Sequence, residues 1–188
     1  MTIPAVVLDR LVRGRVAANL LLVIGASLLI AIAAQVAIPL PFTPVPLTLQ
    51  PVAVLFVGVA LGSSRGAAAA ALYLLEGFSG LPVFAQGHGG TAMLIAPTAG
   101  YLFSYPFAAF LAGFVSERNW GSNVVRAISG MLLALGVIYL GGWSWLAILT
   151  DPRSAFVAGV APFVVADILK VAIGAALLPR AQRIVAKI

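Results

Sequence analysis

The amino-acid sequence predicts an all-α membrane protein, a compact bundle of six transmembrane helices with two Pro/Gly-rich outer loops. Of the 188 residues, 62% are hydrophobic and 9% are charged, whereas a soluble domain carries roughly 25% charged residues. So few charges cannot cover a soluble surface, and lipid is therefore the expected solvent. Because a span needs about 20 apolar residues, six spans with short connections fill the chain as one integral membrane domain, 1–188.

The apolar runs and the helix-breaking residues between them place the six spans in order. The predicted spans cover residues 19–38, 47–64, 66–78, 96–116, 124–143 and 155–178. The first follows a short amphiphilic segment, and its apolar run is longer than the ~7–15 residues of a signal-peptide core. The third is short and Ala-rich. A basic tail follows the sixth.

Two connections are rich in proline or glycine and almost free of charge. The first, PLPFTPVPLTLQ at 39–50, holds four prolines, which exclude a continuous helix because proline lacks an amide donor. The second, FSGLPVFAQGHGGTAM at 78–93, is glycine-rich. Irregular backbone at membrane depth needs protein or a water-filled cavity to satisfy its polar groups. We therefore expect both connections to fold over the bundle as lids, with interfacial anchoring as the alternative.

The distribution of Lys and Arg predicts the orientation. Cytoplasmic segments are enriched in these residues. With both termini inside, nine of the eleven basic residues fall in inner segments and only Arg153 falls in an outer one. We expect a multi-pass protein of the plasma membrane with both termini in the cytoplasm. The net charge of +6 has this topological explanation, and no nucleic-acid partner is expected.

Asp167 and Lys170 are the strongest candidates for a binding site. Both lie inside an apolar span, where a charge costs at least ~2.5–3.5 kcal/mol on insertion scales, and their i, i+3 spacing puts them on one helical face. A carboxylate beside an ammonium suits a neutral polar group such as a urea or an amide. The alternative is a self-compensating pair that only docks helices.

Other polar residues and motifs give weaker indications. Glu76 lies at the outer end of the third span, where it either lines a pocket or is solvated at the interface. Gln50 and Gln86 lie in the two connections, where an amide meets a ligand at little desolvation cost. The sequence has no cysteine and a single histidine, so no metal or cofactor site is expected. It contains no P-loop and no H-E-x-x-H motif, and no enzymatic activity is expected.

Five sequence strings, in order along most of the chain, resemble one known family. They are PLPFTPVPLTLQ at 39–50, LGSSRG at 61–66, YLLEGFSGLPVFA at 73–85, PTAGYLFSYP at 97–106 and PFVVADILKVAIG at 162–174. Together they resemble the BioY family, the biotin-binding S components of energy-coupling-factor transporters. Two features depart from the family pattern. This chain has PTAGY where the family often has PTGGY, so that Ala99 stands in place of a glycine, and residues 66–117 contain no Lys or Arg.

The resemblance implies a function and a set of site residues. It implies a substrate-capture subunit that binds biotin in an outward-facing pocket under the two connections. Asp167 and Lys170 would take the ureido ring, and Gln50, Gln86 and Tyr101 would line the pocket. The implied partners are a transmembrane coupling subunit and ABC-type ATPases. The alternatives are an S component for another small vitamin and, from another functional class, an intramembrane enzyme.

Overall fold

Seven α-helices and one short β-hairpin form the part of the chain that this computed structural model describes, the backbone of residues 16–118 and 124–185. Side chains at 124, 126, 127 and 174–185 are not described. The elements are α1 (Val16–Gln35), β1 (Ala37–Ile38), β2 (Leu47–Thr48), α2 (Gln50–Leu61), α3 (Ser63–Phe78), α4 (Ala99–Glu117), α5 (Val124–Leu149), α6 (Pro152–Gly159) and α7 (Ala161–Val185). Two long connections remain, loop 1 (36–49) and loop 2 (79–98).

Within the described residues, three helices are long and apolar enough to cross a membrane, namely α1, α4 and α5. The bent pair α6–α7 adds a fourth span if it is taken as one. Helix α2 has 12 residues and is therefore about 18 Å long, shorter than a hydrocarbon core of ~30 Å. Leucine and isoleucine side chains of α1 remain exposed, as expected for a helix that faces lipid. The fold is thus predominantly helical with several membrane-crossing helices.

The segment predicted as the sixth span, 155–178, is not one continuous helix in the structure. The structure breaks this segment into α6 and α7, which are inclined to each other by 42°. Pro162 explains the break, because it has no amide hydrogen to donate to the carbonyl of Ala158 four residues earlier. The next amide, that of Phe163, donates to the Val160 carbonyl at 3.0 Å instead of continuing the α-helical pattern. The interruption frees two carbonyls of α6 for other partners.

Helix α4 occupies the centre of the bundle. It packs against α2, α3 and α5, while α1 covers α3 and α2, and α7 packs against α5, α6 and α2. Glycine permits the closest approach of α4 to α5, since a Cβ at Gly100 would lie 2.3 Å from the Gly141 carbonyl oxygen. Small residues allow such backbone contacts between membrane helices. This close contact lies near the start of α4, which directly follows loop 2.

Loop 1 is more regular than its proline content suggests. Strands β1 and β2 pair antiparallel, with Ala37 opposite Thr48 and Ile38 opposite Leu47. The prolines at 39, 41, 44 and 46 lie in the turn between the strands, where their missing amide donors cost no ladder hydrogen bond. Residues 47–48, the start of the predicted second span 47–64, form a strand, and helix α2 begins at Gln50.

Several basic residues that support the predicted orientation lie outside the described part. Arg10, Arg13, Arg15 and Lys187 belong to segments whose structure is not described, and the side chains of Arg126, Arg180 and Arg183 are likewise not described.

Candidate ligand-binding site

A cavity opens between the two loops and helices α2, α4, α5 and α7. Its empty volume, which includes open solvent at the mouth, is about 670 Å³. Most of its wall is apolar or aromatic. The lining residues are Val45, Pro46, Leu47, Thr48, Gln50, Pro51, Phe84, Ala85, Met93, Thr98, Tyr101, Leu102, Tyr105, Ile138, Tyr139, Phe163 and Asp167.

Asp167 provides the charged group in the cavity wall. It is 4% exposed, and its Oδ1 accepts a hydrogen bond from Lys170 Nζ at 2.7 Å. Lys170 does not line the cavity. Its ammonium donates at 2.9 Å to the carbonyl oxygen of Thr48 in loop 1. The pair therefore neutralises a buried charge beside the cavity and ties α7 to strand β2.

Tyr139 completes the hydrogen bonding of this carboxylate. Its hydroxyl donates to Asp167 Oδ2 at 2.8 Å, so both carboxylate oxygens have partners. Tyr139 was not among the site residues predicted from the sequence. A tyrosine inside an apolar span needs a partner for its hydroxyl. This requirement is the signal in the sequence that could have indicated a role for Tyr139.

Gln50 anchors a second chain of polar residues in the cavity wall. It is the first residue of α2 and is 4% exposed. Its Nε2 donates to the hydroxyl of Tyr73, and that hydroxyl donates to the carbonyl of Val83 in loop 2 at 3.2 Å. Phe84 follows in the cavity wall, 1% exposed, with its ring edge-on to Tyr73 at 5.4 Å between centroids. The start of α2, helix α3 and loop 2 are thus joined at one point.

Tyr101 lines the cavity and also stabilises the break between α6 and α7. Its hydroxyl donates at 2.6 Å to the carbonyl of Gly159, one of the two carbonyls freed by the break. The other, that of Ala158, accepts from the Thr43 hydroxyl of loop 1 at 2.7 Å. The break thus ties the end of α6 to Tyr101 and adds a second contact between loop 1 and this segment.

Gln86 and Glu76 lie away from this cavity. Gln86 is exposed in loop 2, has a positive φ of 61°, and does not line the cavity, although its neighbour Ala85 does. Glu76 is neither solvated nor in the cavity wall. Its Oε1 accepts from the Ser27 hydroxyl of α1 at 3.0 Å, while its Oε2 is buried without a partner among the described residues.

No group of three or more His, Cys, Asp or Glu residues within the described residues could hold a metal ion. The exposed His88 ring has its Nδ1 2.8 Å from the carbonyl oxygen of Ala85 in its own loop. Asp151 caps the start of α6. Hydrogen bonds from Ser154, through its side chain and its amide, lower the pKa of the Asp151 carboxyl. The cavity itself offers polar contacts for a small ligand within an apolar enclosure.

Comparison with known proteins agrees with this architecture. The family model described as the BioY family matches residues 8–187. A probable biotin transporter BioY from Pyrococcus horikoshii is 40% identical, with 82% of this chain and 90% of the relative covered. The biotin transporter BioY from Rhizobium etli is 41% identical, with 83% and 87% covered.

The fold is also known from experiment. A crystal structure of the S-component for biotin from an ECF-type ABC transporter superposes with a TM-score of 0.79, covering 88% of this chain and 90% of that chain at 24% identity. At this identity the likeness concerns the fold, whereas the family match spans nearly the whole sequence. This chain therefore belongs to the BioY family.

Proposed function

We propose that this chain is the substrate-capture subunit of a biotin uptake transporter. The observation that supports the proposal is the cavity with the Asp167 carboxylate in its wall and Lys170 paired to that carboxylate. The relatives of this chain are named biotin transporters. A mid-helix ion pair is costly in lipid. A polar guest that uses the carboxylate accounts for its position.

The cavity suits the two halves of biotin. The ureido ring is neutral and polar, with two N–H donors and a carbonyl acceptor, so the Asp167 carboxylate takes an N–H group. Lys170 does not line the cavity, and its ammonium would donate to the carbonyl only after the side chain moves toward the ligand. The Lys170 ammonium has three N–H groups, of which two already have partners. Apolar and aromatic residues such as Phe84 and Phe163 cover the remainder of the ligand.

The remaining predicted site residues keep different roles in this proposal. Gln50 and Tyr101 line the cavity and would contact biotin directly. Gln86 would join them only through a rearrangement of loop 2. Because residues 66–117 contain no Lys or Arg, backbone amides or water would bind the carboxylate of biotin.

The proposed topology has six spans in the plasma membrane with both termini in the cytoplasm. Helices α2 and α3 supply the second and third spans although they are short. The tight turn between them, at Gly62 with φ 84°, lies at the inner side beside Arg65, and loops 1 and 2 form lids at the outer side. The contacts of both loops with the cavity support this arrangement.

Uptake against a gradient needs an energy source. We propose a transmembrane coupling subunit and ABC-type ATPases as partners, in line with the lack of a P-loop in this sequence. The chain itself acts as a binding subunit in the lipid bilayer and has no catalytic role in this proposal.

Equilibrium binding on the purified protein tests the proposed ligand. Labelled biotin is measured by dialysis against the detergent-solubilised chain and displaced with unlabelled biotin, thiamine or riboflavin in excess. We expect saturable binding that only unlabelled biotin displaces. Displacement by another vitamin would indicate an S component of different specificity. Conversion of a lipid substrate without partner subunits would favour an intramembrane enzyme.

A further inference from the structure

The hydrogen-bond chain of Gln50, Tyr73 and Val83 has a defined direction. The Val83 carbonyl can only accept, so the single hydroxyl proton of Tyr73 is used in the bond to Val83. The Tyr73 oxygen therefore acts as the acceptor for its other partner. The group of Gln50 that faces Tyr73 must be the donor, the Nε2 amide.

This direction determines what Gln50 offers to the cavity. An amide side chain has two donors on nitrogen and one acceptor oxygen. With Nε2 held by Tyr73, Oε1 is the other end of the amide, and none of the hydrogen bonds seen among the described residues donates to it. Gln50 is nearly buried and lines the cavity, so an unsatisfied oxygen there is available to a ligand.

We propose that Tyr73 is a positioning residue that fixes the Gln50 amide so that its oxygen accepts a hydrogen bond from an N–H group of the ligand. The inference rests on the proposed biotin function and extends it to this side of the cavity. Asp167 already accepts bonds from Tyr139 and Lys170, and a second acceptor in the same cavity would bind a ligand that carries two N–H groups. The ureido ring of biotin has that property.

The surroundings of Tyr73 make it suitable for this role. Its ring is fully buried and packs edge-on against Phe84, so the hydroxyl has little freedom to move. The same Val83 carbonyl also accepts from Gln35 Nε2 of α1 at 3.3 Å, and no hydrogen bond joins Gln35 to Gln50 among the described residues. Gln35 therefore provides a control that loosens loop 2 but leaves Gln50 in place.

A double-mutant cycle on biotin affinity tests the coupling. Tyr73→Phe keeps the ring and removes the hydroxyl, and we expect it to weaken biotin binding about 5- to 10-fold, the range of one lost hydrogen bond. In a Gln50→Leu background the same substitution should change affinity less than twofold. Gln35→Ala should have equal effects with and without Gln50→Leu. Equal effects of Tyr73→Phe in both backgrounds would overturn the inference, because a residue that only stabilises the fold acts additively.

A comparison of two substitutions at Gln50 tests the direction of the amide. Gln50→Glu keeps an acceptor oxygen, whereas Gln50→Leu removes it, so the glutamate variant should bind biotin at least fivefold more tightly. Weaker binding by Gln50→Glu than by Gln50→Leu would show that Gln50 offers its N–H to the ligand, and would overturn the assignment. Lack of biotin binding by the unsubstituted protein would instead contradict the proposed function itself.

Discussion

Replacing Asp167 by asparagine tests the role of the ion pair in binding. Asparagine has nearly the same shape but no charge, and it offers one oxygen where aspartate offers two. In the structure both oxygens are used, by Lys170 and by Tyr139, at 2.7 and 2.8 Å. The substitution therefore removes a charge-assisted acceptor from a site that is 4% exposed, where water cannot replace it.

The expected loss follows from these contacts. A hydrogen bond to a charged group contributes roughly 1.5–3 kcal/mol, so Asp167→Asn should weaken biotin binding by about 10- to 150-fold. Isothermal titration calorimetry on the purified protein measures this directly. Asp151→Asn is the matched control, because Asp151 is an exposed helix cap and asparagine caps helices equally well. We expect the control to bind biotin as the unsubstituted protein does.

A second variant separates binding from folding. Asp167→Asn leaves the Lys170 ammonium without its charged partner, and the melting temperature should fall. Adding Lys170→Met removes the unpaired charge and should restore much of the melting temperature, because a buried pair is costly mainly when one partner is missing. Biotin affinity should stay low in the double variant. Wild-type affinity in Asp167→Asn would show that the carboxylate takes no part in binding.

Three further predictions concern the cavity and the topology. Lys170→Met alone removes the bond to the Thr48 carbonyl and should speed biotin dissociation about tenfold in a filter-binding chase; an unchanged rate would show that this contact does not hold loop 1. Tyr139→Phe removes one of the two hydrogen bonds to the Asp167 carboxylate and should raise the Kd for biotin about 3- to 10-fold. An unchanged Kd would show that Tyr139 does not support the carboxylate in binding. Because the chain has no cysteine, single introduced cysteines report the topology. Gln86→Cys should react with an impermeant maleimide on intact cells, and Arg118→Cys should react only after permeabilisation. The reverse pattern would contradict the proposed orientation.

The sequence was sufficient to predict the family of folds and the main polar residues. Composition requires a lipid environment, and the BioY resemblance is confirmed by the family match over residues 8–187. Asp167 stood out because a charge inside an apolar span is rare. The structure places it, with Gln50 and Tyr101, at one cavity.

Other features were hidden because they depend on tertiary contacts. The break in the last helix could have been predicted from Pro162, yet the partners of the freed carbonyls, Thr43 and Tyr101, are distant in sequence. The direct contact of Lys170 with loop 1 spans 122 positions, and no local pattern encodes it. Glu76 was expected at a pocket or at the interface, but a serine on α1 pairs with it.

The identity of the bound ligand tests the central claim most directly. The protein is purified from cells grown with biotin, denatured, and the released small molecules are identified and quantified by mass spectrometry. We expect biotin in a ratio near one per chain, and a strongly reduced ratio in Asp167→Asn purified in parallel. A different vitamin in the cavity, or equal biotin in both preparations, would contradict the claim that this cavity binds biotin through its buried carboxylate.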